Sequence, residues 1–141
     1  YKSRERSIEG FRMSWMDILK SVNYSAAVLD EESRKKLLDL DMPEGWKPVA
    51  HHMTITLGPL KEDSMYEVGQ EVVMPIIAIG RDDRAMAVKV KAEGANVKSF
   101  PHVTVAINPD GGKPMHSKSI SEENFEKFSG TLRGIVTEIP N

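Results

Sequence analysis

The sequence predicts an α+β domain built on antiparallel sheet, and three observations predict it. Short runs of β-branched and apolar residues alternate with a period of two and stop at Gly, Pro or Asn. The runs in the middle of the chain are separated by hairpin-length connections rather than by a regular strand–helix alternation. Helix start signals are few and introduce short segments only, near Ser14, Asp30 and Ser121.

The elements follow in order. Residues 1–13 carry the charged run Lys2-Ser3-Arg4-Glu5-Arg6-Ser7 and read as a tail or linker, leaving 14–141 as a single domain. Ser14 with Asp17 resembles a capping box, and Trp15, Ile18 and Leu19 give the short helix after it an apolar stripe. Tyr24 to Leu29 reads as a strand. Asp30 caps a helix from Glu31 to about Leu40, acidic at its start and basic in its middle, with Leu37, Leu38 and Leu40 on the core side. A Pro- and Gly-bearing loop, 41–48, leads into a strand running from Ala50 to the turn signal Gly58-Pro59, and a polar stretch with one helical turn near Ser64 follows. Glu71 to Gly80 is apolar and β-rich, with Pro75 restricting it to an edge or a break. Arg81 to Arg84 is a turn, and Met86, Val88, Val90 and Ala92 alternate with Ala87, Lys89 and Lys91 as a half-buried partner strand. Gly94-Ala95-Asn96 is a turn before a strand at 102–107. Residues 108–114 form a loop, Ser121 caps a short helix to about Phe128, and Thr131 to Ile139 is the last strand.

Composition narrows the function. The chain has 141 residues, 40% hydrophobic and 28% charged, enough for one domain with a real core. A net charge of −2 argues against general duplex nucleic-acid binding. With no cysteine, disulfides and thiolate zinc sites are excluded, and an intracellular setting is expected. No apolar run reaches membrane-spanning length, so no membrane partner is expected. The chain opens on Tyr1 rather than Met, which leaves room for an upstream segment.

One pattern occurs twice: His52-Met53-Thr54-Ile55 and His102-Val103-Thr104-Val105, in a chain with four histidines. Strand parity sets His52 and Thr54 on one face and Met53, Ile55 and Leu57 on the other. In the second copy His102 and Thr104 oppose Val103, Val105 and Ile107. If the two polar faces meet, two imidazoles are flanked by two hydroxyls. Metal-free cleavage of a phosphodiester needs a base for the nucleophile and an acid for the leaving oxygen, and histidine serves both near neutral pH. Threonine hydroxyls can donate to the non-bridging oxygens. Single tetrapeptides of this kind arise by chance; the repeat on two amphipathic strands is the more specific signal. His51 falls on the opposite parity to His52, poor geometry for a shared metal, and no His-Glu-x-x-His helix is present, so neither a metal nor any other cofactor is expected.

At these residues the chain resembles the 2H (two-histidine) phosphoesterase superfamily. Tyr24 to Ser33 is similar to that family's opening strand and first helix. The resemblance covers roughly 22–139 by organisation, but only the two tetrapeptides are specific. It implies a two-lobed fold with one motif strand per lobe and a groove between them. It also implies phosphodiesterase activity on 2′,3′-cyclic phosphate RNA ends, 2′-5′ oligonucleotides or cyclic nucleotides. Carried over, His52 and His102 become the acid–base pair, and Thr54 and Thr104 the phosphate-contacting hydroxyls. The motifs lie closer together than in many members, which implies a more open groove. The expected partner is a nucleotide or short RNA. Two other functions stay open: a hydrolase of cyclic di- or oligonucleotide signals of the phage counter-defence type, and a binding module without turnover.

Around the motifs, Tyr24, Trp46, Tyr66 and Phe100 are candidates to stack a base, or else pack in the core. Lys113 and Lys118 can reach phosphate from the loop after the second motif, or stand as ordinary surface lysines. His116 and Ser117 share that loop. The Gly-Gly-Lys there lacks P-loop spacing.

Overall fold

In a computed structural model, which describes residues 22–95 and 100–140, the described residues form seven strands and one α-helix. The tail, the helix expected after Ser14 and the end of the turn at Asn96 lie outside the described residues. β1 (Val22–Leu29) leads into α1 (Glu31–Leu38). The Asp30 carboxylate accepts the Ser33 N–H at 2.8 Å, and Ser33 Oγ accepts the Arg133 N–H at 2.7 Å, so the cap also ties the helix to the last strand. Leu37 is buried, with Leu38 and Leu40 packed partly behind it. β2 (Lys47–Pro48) and β3 (His52–Leu57) follow, then the hairpin of β4 (Glu71–Arg81) and β5 (Ala85–Val90). β6 (His102–Ile107) precedes two short 3-10 turns, Pro114–Ser119 and Glu122–Asn124, and β7 (Phe125–Pro140) ends the described chain.

All pairings are antiparallel, in the order β2-β6-β3-β1-β7-β4-β5, and β6 also pairs with β5. The sheet therefore closes on itself. Two lobes with a sheet each were expected; the strands instead form one sheet, because the 16-residue β7 runs beside both β1 and β4. The inside of the ring holds the main core, including Ala27, Met53, Ile55, Met74, Val88, Val103, Val105, Leu132 and Val136. The alternation read from the sequence is what points these side chains inward.

Three local expectations change and one is met in part. Phe125 to Phe128 is strand rather than helix: Phe125 pairs with Gly80, and a Cβ on Gly80 would come within 2.7 Å of the Phe125 ring. Ser121 makes no side-chain cap bond, and cross-strand pairing overrides the local helix signal. The segment near Ser64 is a turn, held by the Ser64 N–H on the Lys61 carbonyl. Of the edge or break expected at Pro75, the structure has the break: β4 shifts register between Ile76 and Ala78 against both neighbours. The Pro75 carbonyl accepts the Lys91 N–H, so the residue's missing N–H faces the side where the β5 ladder has already ended at Ile76↔Val90. Finally, β5 is buried on both faces. Ala85 and Ala87 form a second small core with Ile120 and Phe125, so the segment 114–125 lies over the outer face of β5 and β6.

Candidate active site

The two histidine strands are neighbours. β3 and β6 meet at Met53↔Val103. Among the described residues no further Cα pair joins the two strands, and it is the Ala50 N–H that meets the Thr104 carbonyl, at 2.9 Å. The charge of His102 acts on His52, which sets the two imidazoles near each other. The expected parity holds for Met53, Ile55, Val103 and Val105, which are buried. It fails at Leu57, which is exposed: β3 carries an extra residue opposite the step from Ser25 to Ala26, and Thr56 is turned inward in its place.

A second irregularity lies just before His52. β2 pairs through Pro48↔Ala106 and β3 through Met53↔Val103, so four residues on one strand face two on the other. Ala50 absorbs the excess in the left-handed region, at φ 41°, an unusual conformation for a residue with a Cβ. His51 was expected to turn away from His52. The bulge removes it from strand parity instead, and its Nδ1 lies 2.9 Å from Nδ1 of His52, with the rings edge to face.

The environments of the two motif histidines differ. His52 packs against the Tyr24 ring, centroids 4.9 Å apart. Burial, with the nearby imidazoles of His51 and His102, lowers its pKa to about 4. His102 Nδ1 lies 2.9 Å from the Phe100 carbonyl. A carbonyl only accepts, so Nδ1 carries the proton and Nε2 is the free nitrogen. Burial lowers the pKa of His102 as well, with the Phe100 hydrogen bond opposing it and the charge of Lys118 adding to it.

Of the remaining candidates, Thr54 is partly exposed beside this pair. Thr104 is only 8% exposed; its hydroxyl lies 2.8 Å from that of buried Ser117 and also donates to the Pro114 carbonyl. Its expected role as a free phosphate donor gives way to holding the 3-10 turn onto β6. Phe100 meets His102 edge to face at 5.3 Å, and Tyr24 flanks His52, so both aromatics are at the site. Burial raises the pKa of the Tyr24 hydroxyl. Trp46 packs against the main core, and Tyr66 is buried with its hydroxyl donating to the Glu93 carbonyl, so neither is brought to the histidines. Lys118 is exposed and close enough to act on His102. Lys113 is exposed, and its backbone N–H donates to His116 Nδ1 at 3.1 Å.

Lys89 was missed as a site residue. It pairs in register with His102, carries an ion pair to Glu122 and places Nζ 4.8 Å from the Phe100 centroid and 4.3 Å from that of Phe125. Its polar parity on β5 was visible; that β5 lies beside β6 was not. Among the described residues no group of three or more His, Asp or Glu is arranged to hold a metal ion. Comparison with protein-family models, with curated proteins and with solved structures finds no match for this chain.

Proposed function

We propose that this chain is a phosphodiesterase that opens 2′,3′-cyclic phosphate ends or cleaves 2′-5′ linkages by two-histidine acid–base chemistry, without a metal. The observation that carries the reading is the Met53↔Val103 pairing, which favours one constellation of both imidazoles and Thr54 on the outer face of the sheet. A nucleotide would lie in a groove along the β3–β6 seam, with Tyr24 and Phe100 at its two sides.

In this reading His52, neutral at physiological pH, is the base. It takes a proton from water as the water oxygen attacks phosphorus. His102 is the acid: the Phe100 carbonyl favours its protonated form, and an arriving phosphate anion counters the charge of Lys118. Its Nε2–H gives the proton to the departing ribose oxygen as the P–O bond breaks, leaving a phosphomonoester. Thr54 donates to a non-bridging oxygen, where negative charge grows in the transition state.

The test is turnover of a panel in excess chelator: 2′,3′-cyclic mononucleotides, 2′-5′ dinucleotides and cyclic dinucleotides. Hydrolysis of the first or second class with EDTA present is expected. Activity confined to cyclic dinucleotides would shift the substrate class. Binding without turnover of any would reduce the chain to a nucleotide-binding module, and activity lost with EDTA and restored by zinc or manganese would overturn the metal-free chemistry.

A further inference from the structure

We propose that His51 is a positioning residue whose Nδ1 accepts the Nδ1–H of His52, fixing the tautomer that leaves Nε2 of His52 free for the reaction. The inference rests on the two-histidine reading for the direction of the bond and for its kinetic consequence, while the contact between the two rings stands without it. Three observations carry it.

The first is the contact itself. The two Nδ1 atoms lie 2.9 Å apart with the rings at 81°, so one nitrogen must donate and the other accept. The second is the backbone built to make that contact. The two-residue excess between Pro48 and Met53 and the left-handed Ala50 lift His51 out of alternation, while the Leu29 N–H donates to the His51 carbonyl at 2.9 Å and anchors it. Without the bulge, adjacent strand residues would point to opposite faces. The third is the parallel at the other motif. His102 has its Nδ1 on an obligate acceptor, the Phe100 carbonyl. His51 supplies His52 with the same kind of partner, as a side chain.

The direction of the bond follows from chemistry. If His51 donated, neutral His52 would carry its proton on Nε2, presenting an N–H to the substrate where a base needs a lone pair. If His51 accepts, Nε2 of His52 is free. Around the pair, Tyr24 packs on His52 from β1 and the charge of His102 acts on it from β6; Lys118 acts in turn on His102, and Lys89, ion-paired with Glu122, lies in register with His102 on β5.

The experiment uses the full chain, isotopically labelled, with histidine tautomers read from long-range proton–nitrogen NMR spectra at neutral pH. In the unmodified protein His52 is expected as the Nδ1–H tautomer. His51→Ala should move it toward Nε2–H and lower kcat on a 2′,3′-cyclic mononucleotide by about 10- to 100-fold, the usual worth of a partner that orients a functional histidine, with KM nearly unchanged. His51→Asn should restore both, because the amide oxygen can occupy the place of Nδ1. His51→Phe keeps a ring without an acceptor and should not. A His52 tautomer that stays Nδ1–H in His51→Ala, or equal rescue by Phe and Asn, would overturn the proposal. Full turnover by His52→Ala would instead remove the catalytic reading, and the tautomer spectra would still decide the role of His51.

Discussion

The two histidine strands carry the same short pattern and sit in different surroundings. β6 pairs with β5 along one edge and with β2 and β3 along the other, and the segment 114–125 covers its outer face. Its histidine is held by a backbone carbonyl, and its threonine hydroxyl is occupied by Ser117 and Pro114. β3 is bulged at both ends, its threonine is partly exposed, and its histidine meets another side chain. A repeated motif therefore need not mean repeated roles. The β6 copy has its imidazole oriented by a backbone carbonyl and its hydroxyl tied to the covering turn, whereas the β3 copy keeps its hydroxyl partly exposed.

The largest effect that tests this division is loss of either imidazole. His52→Ala and His102→Ala should each lower turnover by roughly two to four orders of magnitude. The double variant should be little worse than the poorer single one, because the two act in one step. Additive losses in steady-state rates would show that they act independently.

The threonines should separate by type of effect. Thr54→Ala should cost up to about 100- to 1,000-fold in kcat, as removal of one donor to a developing oxyanion does, with little change in melting temperature. Thr104→Ala should instead cost about 1–3 kcal/mol of stability, because it leaves the buried Ser117 hydroxyl without its partner. Thermal melts and initial rates on the same two proteins decide it; the reverse pattern would put the phosphate contact on Thr104.

An effect on the scale of the Thr104 loss, spread over a range of pH, lies in the pH dependence of stability. The folded-state pKa of His52, about 4, is below its ordinary 6.5, so the unfolded chain binds more protons between those values. The contribution of neutral His52 is complete above about 6.5 and is lost as the pH falls toward 4, a change of up to about 3 kcal/mol. Burial acts in the same direction on His102. Denaturant melts across this range should flatten more in His52→Gln than in His102→Gln. Equal flattening would mean that the two sites are electrostatically alike.

The local parts of this arrangement were legible in the sequence. Both motifs lie on strands, the first starting two residues later than the stretch read from Ala50, and Met53, Ile55, Val103 and Val105 face the core as alternation requires. Asp30 caps α1 as its residue type implies. What was not legible depends on strands distant in sequence. Nothing local marks Ala50 as left-handed, since any residue with a Cβ disfavours that region. Lys89 becomes a site residue only through its register with His102, and the Thr104 hydroxyl is taken up by Ser117 and Pro114, which lie ten or more residues further along the chain. Side-chain period is written in the chain; register is written in the pairing of two chains' worth of contacts.

The closure of the sheet has a consequence for how this protein meets other molecules. Edge strands present unpaired backbone groups and invite another chain to add a strand. Here the ring from β6 through β3, β1, β7, β4 and β5 returns to β6, and β2, outside that ring, is two residues long and ends in Pro48. Backbone addition is thus nearly shut off among the described residues, and recognition falls to side chains. The one thin place is the β3–β6 junction, with its single Cα pair. Amide hydrogens there should exchange with solvent sooner than those of the long β4–β7 ladder.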